Sequence, residues 1–289
     1  MRYLNLNVSK SKKPRKFFQY LITDTIYQSD VEIMELEHLL QIPFNCGHIN
    51  STISAVSFSK CIYDQAVLIG ENMYALQVYT NNINYYQLIH KNYNYIIDDK
   101  HVTSNCKVMD ITLLMGPVMT LNLVLNNTYC LHASSFSLKD TVFVLMADSG
   151  TGKSTIARFM DTQVNSNRIA DDITPIKYMN DKLTILPHFA QLKLDKKQQY
   201  QGTNPNKKIV FLFAEISEEN TCINKINGTN CIKKLINHTV ATKLFNHYDL
   251  KKHLNFCFQA TQLTPCYTLK YQHSSNSLLN LYQQLYDIC

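Results

Sequence analysis

The stretch "TVFVLMADSGTGKSTIARFM", Thr141 to Met160, decides the fold of this chain. It begins with six apolar or β-branched residues, Thr141 to Met146, which is typical of a buried strand, and it ends with apolar residues at helical spacing. Between them lies the glycine-containing loop "ADSGTGKST", Ala147 to Thr155. A strand, a glycine-containing turn and a helix in this order are typical of a loop that binds the phosphates of a nucleotide.

The residue types in the loop suit ATP with Mg²⁺. Two glycines let the backbone turn tightly with its N–H groups pointing inward. Lys153 can reach the β- and γ-phosphates, and the Ser154 hydroxyl can ligate Mg²⁺. We also expect the Lys153 ammonium to face solvent in the free protein. The predicted ATP-binding residues are Ser149, Gly150, Thr151, Gly152, Lys153, Ser154 and Thr155.

The loop departs at one position from the pattern G-x-x-x-x-G-K-[ST], because Ala147 replaces the first glycine. The alternative interpretation is a chance glycine-rich turn between a strand and a helix. Turn chemistry explains the glycines, but it does not explain a Lys-Ser-Thr run at the start of the helix. The sequence therefore favours a phosphate-binding loop.

Two further clusters carry candidate catalytic groups. His132 lies in "LHASSF" before the loop, and Asp171 and Asp172 lie in "IADDITPI" after it. One acid can hold Mg²⁺, and the other can accept the proton of an attacking hydroxyl. We assign Asp171, His132 and Lys153 to catalysis and Ser154 with Asp172 to the metal, and the reverse assignment of the two acids stays open. The alternatives are an ordinary loop for the acids and a hydrogen-bonded strand-end residue for His132.

Composition bounds the class of protein. The 289 residues are 45% hydrophobic and 17% charged, which argues against global disorder and suits one large domain or a domain with a smaller one attached. The nine cysteines have no C-x-x-C spacing, so we expect reduced thiols in a cytoplasmic protein rather than disulfides or a zinc site. No apolar run has membrane-spanning length, and we expect no membrane span.

The net charge of +6 is partly concentrated in "KSKKPRK", residues 10 to 16. A basic cluster can contact nucleic acid, an acidic partner or an anionic membrane surface. The rest of the chain shows no basic stripe with interleaved aromatic residues, so the sequence carries no strong nucleic-acid signal and favours a solvated arm.

The chain divides into two predicted domains. Residues 1–106 form a mainly β N-terminal domain with one short helix, Asp30 to Gln41, and residues 107–289 form an α/β domain. The predicted elements of the second domain, besides the strand and helix that flank the loop, are a helix over 111–125, strands over 128–132, 168–173, 183–194, 208–216 and 265–272, and helices over 231–247 and 277–286.

Four segments in this order resemble the HPr kinase-related family: "LLMGPVMTLNLVLNNTYCLHASS", "VLMADSGTGKST", "RIADDITPI" and "LPHFAQLKL". The resemblance covers about Ile111 to Asp287. It implies an HPr kinase/phosphoenolpyruvate carboxykinase-like P-loop catalytic domain in which His132 faces the phosphates and the two aspartates supply a base and a metal contact. Several members of this branch phosphorylate a hydroxyl of ribosomal peptides, including lasso peptides.

One departure from the family affects the substrate. HPr kinase itself carries a Gly- and Arg-containing signature after its acidic pair, where this chain has "LPHFAQLKL". HPr is therefore not the expected acceptor, and the reverse phosphorylase activity is not expected either.

The expected function is an ATP- and Mg²⁺-dependent kinase that phosphorylates a Ser or Thr hydroxyl of a peptide or protein. Two alternatives stay open: a nucleotide-gated binding module without transfer, and a kinase of a free small molecule such as an amino acid. We expect residues 1–106 to select the acceptor, since β-rich segments with many tyrosines suit peptide capture. The alternative is that they only cover the catalytic domain or form the interface of a homo-oligomer.

Overall fold

The chain folds into two β-sheets and several helices, which confirms the predicted α/β class. The computed structural model describes residues 18–22, 25–29, 51–55, 67–70, 73–80, 83–106, 110–187, 189–194, 207–218, 220–245, 247–272 and 274–289. The predicted helix over Asp30 to Gln41 and the basic segment of residues 10 to 16 lie outside these ranges.

A seven-stranded mixed sheet carries the glycine-containing loop. Its strand order is β12-β11-β9-β10-β13-β15-β14, in which β10, β13 and β15 are parallel and the other neighbours are antiparallel. Because β10 is the central strand, the loop that follows it begins at the middle of the sheet, where the parallel strands have their carboxyl ends. The strands are β9 Tyr129–Leu138, β10 Thr141–Met146, β11 Ser166–Met179, β12 Lys182–Ile185, β13 Lys208–Ile216, β14 Cys222–Lys225 and β15 Cys266–Tyr271.

Helices cover both faces of this sheet because its strands are apolar on both sides. Alternate residues of β10 face opposite layers: Phe143 packs with α3 and α6, and Val144 packs in the layer that contains α4 and α5. The helices are α1 Ile111–Leu113, α2 Met119–Leu125, α3 Lys153–Asp161, α4 Gly228–His238, α5 His247–Leu263 and α6 Ser275–Ile288, with a π-helical turn at Leu114–Val118 and a 3₁₀ turn at Thr242–Leu244.

The N-terminal residues form a second, eight-stranded sheet in the order β1-β2-β3-β8-β7-β6-β5-β4. Its core is shared with the bent helix α1–α2: Tyr27 and Tyr86 are buried against residues such as Met119, and the Tyr27 hydroxyl donates to Asn122 Oδ1 at 2.5 Å. The strands are β1 Phe18–Ile22, β2 Thr25–Ser29, β3 Ser51–Ala55, β4 Val67–Gly70, β5 Met73–Thr80, β6 Ile83–His90, β7 Tyr93–Ile97 and β8 His101–Ser104. One hydrophobic core therefore joins this sheet to the helix that precedes β9.

Several predicted elements are wrong in extent. The strands predicted over 128–132 and 168–173 are longer in the structure, as β9 and β11. The predicted helix over 231–247 ends at His238, because Thr239 forms a β-bridge with Leu131 and the Val240 amide donates to the Cys130 carbonyl at 2.8 Å. The predicted strand over 183–194 is confirmed only within Lys182–Ile185. Neither β14 nor α5 was predicted from the sequence.

One cysteine pair contradicts the expectation of thiols throughout. The sulfur atoms of Cys231 and Cys266 are bonded, with their Cα atoms 6.2 Å apart. The two residues are far apart in sequence, and they meet only because the first turn of α4 packs on the start of β15. Among the described residues, five cysteines remain thiols: Cys106, Cys130, Cys222, Cys257 and Cys289.

Helix length and hydropathy bear on the predicted absence of a membrane span. Within the part of the chain that the structure describes, none of the helices combines the length and the apolar character needed to cross a bilayer.

Candidate functional site

The loop between β10 and α3 has the backbone of an anion-binding turn. Gly150 and Gly152 have φ angles of +84° and +92°, a region that side-chain-bearing residues rarely adopt. Gly152 is the N-cap of α3, and none of the described side chains caps this helix terminus. The first-turn amides of α3 therefore remain available to an anionic ligand.

Tyr271 of β15 anchors the loop by a hydrogen bond to its backbone. Its hydroxyl donates a short hydrogen bond to the Thr151 carbonyl, and the ring is buried. Burial raises the pKa of Tyr271 to about 12, so the hydroxyl keeps its proton at neutral pH and stays a donor. The parallel strand β15, which is separated from β10 by β13, thus fixes the loop at its central residue.

Lys153 does not face solvent as expected. The residue is 8% exposed, and its Nζ donates to the carbonyls of Ala147 at 2.6 Å and Asp148 at 3.2 Å. Carbonyls at the start of the loop attract the ammonium, which explains why the expectation is wrong. Burial lowers the pKa of Lys153, and the negative charge of Asp172 is the strongest opposing influence. The charges of Lys153 and Asp172 are therefore close enough to interact.

Asp171 is the buried member of the acid pair. Its Oδ1 accepts hydrogen bonds from Ser154 at 2.6 Å and from Ser134 at 2.8 Å, and its Oδ2 pairs with Arg168 through a very short contact. Its backbone amide donates to Gln191 Oε1 at 3.0 Å. The carboxylate is thus held directly against the serine of the loop, and only 2% of the residue is exposed.

Asp172 has the opposite environment. Its side chain is 43% exposed, and its Oδ1 lies 3.0 Å from Lys193 Nζ and 3.5 Å from His132 Nε2. The hydrogen bond from His132 and the neighbouring Lys193 lower the pKa of Asp172 to about 2 against the opposing effect of burial. The carboxylate is therefore ionised at neutral pH.

The backbone at Asp172 is strained. Its φ is +116°, in the middle of β11, where L-residues rarely occur. Such conformations cost about 1–3 kcal/mol and persist where the surrounding structure imposes them, often at functional sites. The strain singles out Asp172 from its neighbours on the strand.

A cleft of about 370 Å³ opens beside this pair. It is lined by His132, Asp172, Ile173, Asn237, His238, Thr239 and Val240. His238, at the end of α4, stacks on Phe213, and burial lowers its pKa to about 4. The charges of Asp148, Lys153 and His132 also act on His238, so the histidine faces the same region as the loop.

The structure brings together the predicted residues His132, Lys153, Ser154, Asp171 and Asp172. Five further residues were missed: Ser134, Arg168, Gln191, Lys193 and His238. Arg168 was detectable, since a basic residue in "RIADD" is unusual in a buried strand and calls for an acidic partner. His238 and Lys193 carry no comparable signal, because they reach the site from separate segments.

Comparisons with known proteins add no identification. No family model matches the chain, and no curated protein matches it significantly. The case for a function therefore depends on the geometry of the site.

Proposed function

We propose that this chain is an ATP- and Mg²⁺-dependent kinase with an HPr kinase-like P-loop catalytic domain. It transfers the γ-phosphoryl group to a Ser or Thr hydroxyl of a peptide or protein, such as a ribosomal peptide precursor. One observation carries the proposal: Asp171 is hydrogen-bonded to the loop residue Ser154, and the next residue, Asp172, opens into a cleft beside His132.

The side chains at the loop fit Mg·ATP by their chemistry. Ser154 and Asp171 provide hard oxygen donors, and Mg²⁺ in such sites takes only one or two protein carboxylates besides substrate phosphates. When bound, Mg·ATP supplies the phosphoryl group and the cation that offsets its charge.

The environments of the two acids favour the reverse of our first assignment. Asp171 is turned towards Ser154 and suits the metal side, directly or through that hydroxyl. Asp172 is exposed to the cleft and suits the acceptor side. We therefore assign the base to Asp172 and the metal contact to Ser154 with Asp171.

Asp172 is oriented to receive the acceptor proton. His132 and Lys193 both engage Oδ1, which leaves Oδ2 to accept a hydrogen bond from the hydroxyl. Its low pKa makes it a weak base, but phosphoryl transfer proceeds through a loose transition state in which orientation matters more than basicity. Lys153 would exchange its two carbonyl contacts for phosphate oxygens, and the α3 amides would hold the remaining negative charge.

Replacement of Lys153 by Ala tests the proposal. We expect Lys153→Ala to weaken ATP binding in calorimetric titrations and to reduce phosphate transfer to Ser- and Thr-containing peptides by at least about 10²-fold. Lys233→Ala is the matched control, since Lys233 is exposed on α4. Unchanged affinity and transfer in Lys153→Ala would overturn the loop assignment. ATP binding without transfer to any hydroxyl would favour the nucleotide-gated binding module instead.

A further inference from the structure

A second cavity, of about 510 Å³, continues the cleft away from the loop. It shares Ile173, Asn237, Thr239 and Val240 with the cleft. Its other lining residues are Met73, Gly116, Pro117, Ala241, Thr242, Lys243 and Leu244. We call this second cavity the apolar groove, and it extends from Asp172 towards the N-terminal sheet.

The walls of the apolar groove come from three separate parts of the chain. Met73 is the first residue of β5, Pro117 belongs to the π-helical turn, and Val240 follows α4. These parts provide mainly apolar side chains, and no acidic residue is among those that line the groove in the described structure. Lys243 is its only charged lining residue in the described ranges. The groove therefore suits an apolar side chain better than a basic one.

The bent helix creates the space in the groove. Gly116 departs from helical geometry, with φ −87° and ψ −109°, and Pro117 lacks an N–H group, so the helix is interrupted here. A Cβ atom built on Gly116 meets no atom within 4 Å. The open volume above this glycine is thus part of the groove.

The wall of the groove at Thr239 and Val240 is hydrogen-bonded to β9 next to His132, the candidate catalytic histidine. The Val240 amide donates to the Cys130 carbonyl at 2.8 Å, and Thr239 forms a bridge with Leu131. These two partners immediately precede His132 on β9. A ligand that fills the groove is therefore held at a set position relative to His132 and Asp172.

We infer that the apolar groove binds an apolar side chain of a peptide acceptor, close in sequence to the phosphorylated Ser or Thr. This inference rests on the proposed kinase function. A free amino acid could occupy the 370 Å³ cleft alone, and it would leave the groove unused. A peptide with its hydroxyl at Asp172 and a Leu, Ile or Met side chain in the groove uses both volumes, and it also contacts the N-terminal sheet at Met73.

A positional peptide library tests the inference. Each peptide carries one Ser, and each flanking position is varied among Leu, Met, Asp and Lys, with transfer measured from γ-labelled ATP. We expect at least one flanking position to favour Leu and Met over Lys by about tenfold, the effect of burying an apolar side chain. Val240→Asp should cancel this preference, and Met73→Lys should shift it towards Asp. Leu279→Asp is the control, because Leu279 is exposed on α6 away from the groove.

A binding measurement separates this inference from the kinase proposal. Fluorescein-labelled Leu- and Lys-containing library members are titrated with the protein and Mg·ADP, and anisotropy is recorded. Transfer without preference at any flanking position would overturn the groove inference and leave the kinase proposal intact. Leu-selective binding that Val240→Asp removes, without any transfer, would support the groove and overturn the kinase proposal. Binding without Leu selectivity, or no binding, would overturn the groove inference.

Discussion

The two sides of the candidate site are built in different ways. The phosphate side, residues 147–155 with Asp171, comes mostly from one contiguous segment, and Asp171 is almost completely buried among hydrogen-bond donors. The acceptor side, His132, Asp172, Lys193 and His238, comes from four segments, and its central carboxylate is half-exposed on strained backbone. The difference indicates that the proposed phosphate side is encoded mostly by one local segment, whereas the proposed acceptor side is assembled by the tertiary fold.

The largest expected effect is on the rate of phosphate transfer, and it distinguishes the roles of Asp171 and Asp172. Asp172→Asn should reduce phosphate transfer by about 10²–10⁴-fold, because an amide cannot accept the hydroxyl proton. ATP binding should remain close to wild type, since Asp172 lies on the acceptor side. Single-turnover transfer assays and calorimetric titration with Mg·ATP measure the two quantities.

The control for this substitution is Asp181→Asn. Asp181 is also an aspartate with a positive φ, +60°, but it is exposed in the turn between β11 and β12. It should leave transfer unchanged. A wild-type rate in Asp172→Asn would exclude this residue as the base and return that role to Asp171.

The next effect concerns folding stability on the phosphate side. Asp171→Asn leaves the Arg168 guanidinium, whose side chain is 6% exposed, without its carboxylate. Breaking a buried pair of this kind costs about 3–5 kcal/mol. Urea denaturation should show this loss of unfolding free energy, and the double variant Asp171→Asn/Arg168→Met should recover part of it. A loss below about 1 kcal/mol would mean that the pair contributes little.

The contrast also explains what could be predicted from the sequence. The strand Thr141–Met146 and the loop were predictable because their signal is local: an apolar run, then glycines and a lysine. The end of α4 was not predictable, since Thr239 leaves the helix to pair with Leu131 of a distant strand. The disulfide Cys231–Cys266 was missed for the same reason.

The roles within the acid pair show the same limit. The sequence indicated two adjacent acids with divided roles, but strand alternation alone does not say which of them faces the loop. Ser134, which lies opposite Asp171 on β9, and Arg168 decide the direction in the structure. The predicted kinase activity and the ATP and Mg²⁺ requirements stay predictions.

A smaller effect tests the support of the acceptor side. His253 is buried and contacts the groove residue Thr239, with its Nε2 2.9 Å from Thr239 Oγ1, and burial lowers its pKa to about 4. In the unfolded chain this histidine has its ordinary pKa of about 6.5. Between pH 6.5 and pH 4 the unfolded chain therefore binds a proton at His253 that the folded chain does not bind. Stability should therefore fall as the pH decreases from about 6.5 to about 4, by about 3 kcal/mol from this group.

Urea titrations at pH 7 and pH 4.5 measure this dependence. His253→Gln keeps a polar partner for Thr239 and should remove most of the His253 contribution, and His101→Gln, at an exposed histidine, is the control. The same acid-induced loss in wild type and His253→Gln would assign the pH dependence to other groups, such as His238, whose pKa is lowered by burial in the same direction.

The smallest effect concerns the strain at Asp172. Glycine adopts the φ of +116° freely, so Asp172→Gly should release about 1–3 kcal/mol of backbone strain. It gives up about 0.5–1 kcal/mol through the greater freedom of glycine in the unfolded chain. The contacts with Lys193 and His132 are half-exposed and contribute about 0–1 kcal/mol, reduced by solvent screening. We expect the unfolding free energy of Asp172→Gly in urea denaturation to match or slightly exceed that of the wild type, although this variant should lose transfer.

Asp172→Ala, which keeps the strain and loses the same contacts, should be less stable than Asp172→Gly by about 1 kcal/mol. The opposite order of the Gly and Ala variants would show that the backbone at Asp172 stores no strain. The expected order would mean that the fold tolerates a conformational cost at Asp172 to aim its carboxylate at the acceptor cleft.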